Sequence, residues 1–143
     1  MNDTIRYIWF WSGWLSLLLA CLIAIWRGGL PERWGAAILF SAWVGSLIAD
    51  HITGLTHFKA IVFAIDGATL LALGILSGWT RRVWTLFALG FQFIDVMAHA
   101  VTLVAPHLGS WAYYTAIQVF GGYGPVLALL GGSLVATRRR QLV

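Results

Sequence analysis

The chain has 143 residues, 60% of them hydrophobic and only 10% charged, with a formal net charge of +4. A water-soluble domain carries roughly a quarter charged residues, so the composition excludes an ordinary soluble fold. It fits a lipid-facing surface instead, because an ionised group at mid-bilayer costs at least about 2.5–3.5 kcal/mol.

The length allows one compact unit, read as a single transmembrane domain over 1–143. The start, Met1-Asn2-Asp3-Thr4-Ile5-Arg6, does not read as a cleaved signal peptide. Asp3 spoils a basic n-region and no small-x-small site follows the first apolar run, which is expected to persist as a helix. Cys21 lies inside that run, so neither a disulfide framework nor a cysteine metal site is expected.

A helix needs about 20 residues to cross the hydrocarbon, and five segments qualify. The first runs from about Ile8 to Trp26, with Ser12, Gly13 and Ser16 making a small-residue packing face. Arg27-Gly28-Gly29-Leu30-Pro31-Glu32-Arg33 forms a turn, not a phosphate loop, since no strand or Lys-Ser/Thr accompanies it. The second span, Trp34 to about Ile52, carries Ser46 and Asp50 on one face and His51 beside its end. The third, about His57 to Ser77, carries Lys59 and Asp66 seven apart, with Thr69 flanking. The turn Gly78-Trp79-Thr80-Arg81-Arg82 leads to the fourth, about Val83 to Val104.

That fourth span holds the clearest pattern. Thr85, Gln92, Asp95, His99 and Thr102 follow at spacings of seven, three, four and three. At about 100° per residue they occupy a single face, which must point inward. Phe87, Leu89, Phe91, Phe93 and Val96 are expected to cover much of the remainder. After a loop containing Pro106 and His107, the fifth span runs from Trp111 to about Ala136 and ends in Thr137-Arg138-Arg139-Arg140. At its middle stands Gly121-Gly122-Tyr123-Gly124-Pro125. Proline removes a backbone hydrogen bond, so this run reads either as a broken helix whose freed carbonyls line a site or as a kink with close packing, continued by Gly131-Gly132. Thr115 and Gln118 precede it by one to two turns.

Loop charges orient this five-span reading. Arg27, Arg33, Arg81, Arg82 and Arg138 to Arg140 fall on one side, and only Arg6 and Lys59 on the other. Cytoplasmic loops collect Lys and Arg, so the N-terminus is expected outside and the C-terminus in the cytoplasm, in a bacterial-type inner (plasma) membrane. Tryptophans agree: Trp26, Trp34, Trp79 and Trp84 fall at the inner interface, Trp9, Trp11 and Trp111 at the outer one with Trp14 close by, and Trp43 in mid-membrane. The basic residues thus follow topology, and no nucleic-acid partner is expected.

Ionisable side chains inside such spans are rare and face the protein interior or a water-filled cavity. A rise of about 1.5 Å per residue places Asp66 roughly 10–13 Å from the outer end of its span. Asp95 lies near mid-span, His99 in the outer third, and Asp50 near the outer end. An outward-facing Asp/His pocket of Asp50, Asp66, Gln92, Asp95 and His99 is therefore expected. Each also has a structural account: Asp95 can pair with His99 on its own helix, Asp66 with Lys59, and polar contacts serve as interhelical glue. His51, His57 and His107 read as loop histidines. Metal is a weaker expectation, with His51, His57, Asp95 and His99 as candidates, since zinc accepts His and carboxylate ligands but no HExxH or paired-cysteine spacing occurs. Haem ranks lower still, because His99 has no histidine partner inside another span. No cofactor is clearly implied.

Five spans and nine tryptophans resemble the translocator (tryptophan-rich sensory) proteins in count and composition, and no motif carries residues across. Three function classes remain. One is binding or translocation of an ion, proton or small solute, with the bilayer as partner and a homo-oligomer expected. Another is an accessory or scaffold subunit of a larger membrane complex. The third is a membrane-embedded acid–base enzyme acting on a lipid or isoprenoid-like substrate, with Asp66 or Asp95 as acid and His99 as base. No nucleophile motif or nucleotide loop is present, so a non-enzymatic protein is favoured.

Overall fold

The computed structural model describes residues 3–105, 113 and 115–141, and the side chains of these except at 3, 5, 6, 53–59 and 138–141. His107 and Trp111, and the side chains of Arg6, His57, Lys59 and Arg138 to Arg140, lie outside what is described. Helix α1 spans Asp3–Arg27, α2 Leu30–Thr80, α3 Val83–Val104, and α4 Gly124–Gln141, the last preceded by a π-helical stretch, Ile117–Tyr123. Among the described residues, five helical stretches are long and apolar enough to cross a membrane: Tyr7–Arg27, Leu30–Ile52, Ala60–Thr80, Val83–Val104 and Ile117–Thr137.

Two expected stretches fall within the single element α2. Its helical assignment is unbroken from Leu30 to Thr80, yet a Cβ on Gly45 would stand 3.6 Å from Ile65 Cδ1. In a straight helix twenty residues span about 30 Å, so α2 doubles back and its two arms pack side by side. Leu39 on the first arm and Leu73 and Leu76 on the second meet Leu17, Ala20 and Ala24 of α1 and Val126 and Leu129 of α4 in one core. Outside that core the surface is strongly apolar, with Leu15, Leu22, Ile25, Leu71, Ile75, Leu86, Phe87 and Phe93 all exposed.

The expected turn around 27–33 shrinks to Gly28 and Gly29, because Pro31 fits the first turn of α2, where its missing N–H has no partner to lose. At the other turn the helix runs on through Thr80, and the left-handed residue is Arg81 (φ 50, ψ 33), not Gly78. The Arg81 N–H donates to the Ser77 carbonyl at 3.0 Å, closing the helix. A residue with a Cβ is strained there and glycine is not, so Arg81→Gly is expected to leave the melting temperature unchanged or raise it, within about 1 kcal/mol. A fall in melting temperature would show that the arginine side chain anchors this end.

The break or kink expected in the last segment takes the form of a widened helix. The Gly124 N–H donates to the Val119 carbonyl, five residues back, which carries the chain into Pro125 without interruption. Tyr123 ties this stretch to α1: its hydroxyl lies 2.7 Å from Ser12 Oγ and donates to the Trp9 carbonyl at 3.3 Å. Trp43 packs edge-on against Trp14 with ring centroids 5.4 Å apart.

Candidate functional site

The face of α3 marked by its polar spacing is buried: Thr85, Gln92, Asp95 and His99 turn inward, while Leu86, Phe87, Phe93, Ile94 and Met97 are exposed. Val96 is also buried, contrary to expectation, because it completes the 92, 95, 96, 99 stripe that one helical face presents. Thr102 is half-buried and donates to the His99 carbonyl at 2.8 Å.

Asp66 enters from the second arm of α2 and meets this face. The Gln92 amide donates through Nε2 to Asp66 Oδ1 and to Asp95 Oδ2, each at 3.3 Å, so one side chain clasps both carboxylates. His99 Nε2 lies 3.1 Å from Asp66 Oδ2, and its other ring nitrogen, Nδ1, lies 2.8 Å from the Tyr113 hydroxyl. The two rings meet edge-on, with centroids 5.5 Å apart. One ligand-capable atom from each of Asp66, Asp95 and His99 falls within 4.8 Å of the others.

The cluster is enclosed rather than open. Asp95 is 2% and His99 4% exposed, and the Asp66 side chain 14%. It is also incompletely paired: Asp95 Oδ1 is buried without a hydrogen-bond partner, and His99 Nε2 approaches Asp66 without the alignment a hydrogen bond requires. Buried polar atoms in proteins nearly always have partners, and leaving one without costs about 1–3 kcal/mol.

The π-helical stretch closes the site. Gly121 stands so near Asp95 that a Cβ there would collide with the carboxyl group. Widened helical turns of this kind occur often at functional sites; here the turn brings backbone, not a side chain, against the carboxylate.

Of the residues expected at the site, Asp66, Gln92, Asp95 and His99 come together. Asp50 does not. Ala49 is buried and Asp50, about 100° further round the helix, is exposed and outside the cluster, as is His51. The pairing also differs from the expected within-helix contact: His99 turns to Asp66 on the neighbouring helix, and Asp95 is held by Gln92. Tyr113 is a member that no spacing marked, and Gly121 belongs to the glycine–proline run whose place at a site was one of two readings.

A second buried carboxylate lies at the arginine-bearing end. Glu32, 1% exposed, accepts from Trp84 Nε1 at 3.0 Å through one oxygen and from the Gly29 N–H at 2.7 Å through the other. Trp84 is buried, because Gly35 and Gly132 leave room for its ring. The indole finds its polar partner in Glu32 instead of water. This pair is fully engaged and has the marks of a clamp between the starts of α2 and α3.

No known protein family, curated protein or solved structure matches the chain. The functional reading therefore rests on geometry.

Proposed function

We propose that the chain is a multi-pass protein of a bacterial-type inner membrane, N-terminus outside and C-terminus cytoplasmic, whose Asp66–Gln92–Asp95–His99 cluster binds and translocates an ion, proton or small solute. Membrane residence is supported by the five apolar helical stretches and the exposed apolar surface. Orientation is supported by Arg27, Arg33, Arg81 and Arg82 flanking helix ends that the Glu32–Trp84 bond draws together, since the arginine-rich side faces the cytoplasm. The eleven residues from Trp84 to Asp95 rise about 16 Å, which supports a cluster lying from mid-membrane toward the outside. A reporter fused after Val143 that fluoresces only in the cytoplasm is expected to be bright; a dark one overturns the orientation.

One observation carries the binding reading: Asp95 Oδ1 is buried in the cluster without a partner, and His99 Nε2 meets Asp66 only without hydrogen-bond alignment. Groups that only hold helices together gain by satisfying one another, and unused capacity at an enclosed site suits a visiting ligand. Two carboxylates favour a positive one. In proteoliposomes, Asp95→Asn is expected to lower proton or cation flux at least ten-fold, while Asp50→Asn, outside the cluster, retains it. The scaffold reading has one observation in its favour, Gln92 clasping both carboxylates. It predicts that Asp95→Asn lowers the melting temperature and that the native protein shows no flux to lose.

A further inference from the structure

The chemistry of the cluster narrows its ligand. The Gln92 amide occupies Asp66 Oδ1 and Asp95 Oδ2, and the Tyr113 hydroxyl lies against His99 Nδ1. Each of the three ionisable residues is thus engaged through one atom by Gln92 or Tyr113; of the remaining atoms, Asp95 Oδ1 has no partner and His99 Nε2 stands 3.1 Å from Asp66 Oδ2. Asp95 Oδ1 and His99 Nε2 are without a hydrogen-bond partner, on side chains more than nine-tenths buried. Resting on the reading that this cluster binds a ligand, we infer that Asp66, Asp95 and His99 hold a single divalent first-row transition-metal ion.

Distance, charge and ligand type all support this ion class. Ligands about 2.0–2.2 Å from a zinc-sized ion in tetrahedral array stand about 3.3–3.6 Å apart. The cluster has donors within 4.8 Å of one another and one pair, His99 Nε2 and Asp66 Oδ2, at 3.1 Å, so the donors already stand close to those separations. Two ionised carboxylates and a neutral imidazole carry two negative charges, which a divalent ion cancels where net charge is most costly. Nitrogen with carboxylate oxygen, and no thiolate, suits zinc, manganese or ferrous iron and disfavours cuprous copper. The neighbours fit the same role. A metal-bound histidine donates its other ring N–H to a fixed partner, which sets the tautomer. With Nδ1–H directed to the Tyr113 oxygen, the Nε2 lone pair is free for the ion. Gln92 fixes the two carboxylates in the same way, through the oxygens that do not bind. Three protein ligands leave a fourth position open, the pattern of sites whose ion exchanges or reacts.

The test uses the full chain, purified in detergent, stripped with chelator and titrated with zinc or cobalt alone. Calorimetry is expected to give one ion per chain, and cobalt to develop the visible absorption of a four-coordinate site. His99→Gln and Asp95→Asn should each weaken binding at least ten-fold, and Asp66→Asn, at the least buried ligand, serves where either fails to fold; Asp50→Asn should bind as the native chain does. Zinc should also raise the melting temperature of the native chain and not of the ligand variants. Absence of binding by the folded native chain, or binding undiminished in folded Asp95→Asn and Asp66→Asn, overturns the inference. The two readings fail separately. Asp95-dependent proton flux without metal binding removes the metal and keeps the translocation site, whereas stoichiometric metal binding without flux keeps the metal and removes translocation.

Discussion

Replacing Gly121 by alanine is expected to disrupt the candidate site more than any other single methyl group added to the last helical segment. A Cβ at this position collides with the whole Asp95 carboxyl group, which is 2% exposed and clasped by Gln92. Either the carboxyl leaves its place or the π-helical stretch moves away from α3. Overpacking of this kind costs about 1–3 kcal/mol, and both outcomes break the alignment of Asp95 with Asp66 and His99. Neighbouring glycines supply controls on the same element. At Gly122 the nearest atom to an added Cβ is Gln118 Oε1 at 3.5 Å, an ordinary contact, and at Gly131 nothing lies within 4 Å. Alanine at Gly131 should be neutral or stabilising by roughly 0.5–1 kcal/mol, since glycine is unfavourable inside a helix. The nine tryptophans make intrinsic-fluorescence melting a direct readout. A melting temperature for Gly121→Ala equal to that of Gly122→Ala would show that the approach to Asp95 is looser than the structure has it.

The candidate site was partly legible because its residues break a rule. In a chain this apolar, Asp66, Gln92, Asp95 and His99 stand out by type, and on α3 their three- and four-residue spacing marks one face without reference to any partner. The expense of a carboxylate among apolar groups then brings Asp66 to that face from another helix. The same rule misplaces Asp50, because its force fades toward a helix end, where a carboxylate can turn to a polar surrounding at little expense. Tyr113 carried no signal: one of two adjacent tyrosines near the start of an apolar segment has no period, and only the fold sets it against His99. The Gly121–Pro125 run announced an irregularity but not its kind, since the lost proline N–H can be accommodated by a break, a kink or a wider turn. The doubling of α2 was expected as two spans, but its helical continuity from Leu30 to Thr80 was not, as no proline or glycine pair marks where such a helix bends.

Glu32 was missed for a different reason. Between Arg27 and Arg33 it reads as a solvated loop charge, and only its place three residues after Gly29 hints at a helix start. In the structure it is buried and accepts from both the Trp84 indole and the Gly29 backbone. Its removal is expected to be strongly destabilising although it lies away from the candidate site. Glu32→Ala leaves two donors without acceptors and a void beneath Trp84, and at about 1–3 kcal/mol for each unsatisfied group the loss should reach about 2–4 kcal/mol. Glu32→Gln keeps the volume and one acceptor oxygen but sets its amide against the other donor, so an intermediate loss is expected. Trp84→Phe removes one donor and keeps most of the packing against Gly35 and Gly132. In that background Glu32→Gln should cost less than in the native chain, because its oxygen can turn to Gly29 with no indole left unserved. Coupling between contacting residues of this kind is about 0.5–3 kcal/mol. Additive losses in the Glu32→Gln, Trp84→Phe cycle would mean that the two side chains do not bond. The ends of α2 and α3 would then be held by apolar packing alone, with no bond drawing the arginine-bearing ends to one side.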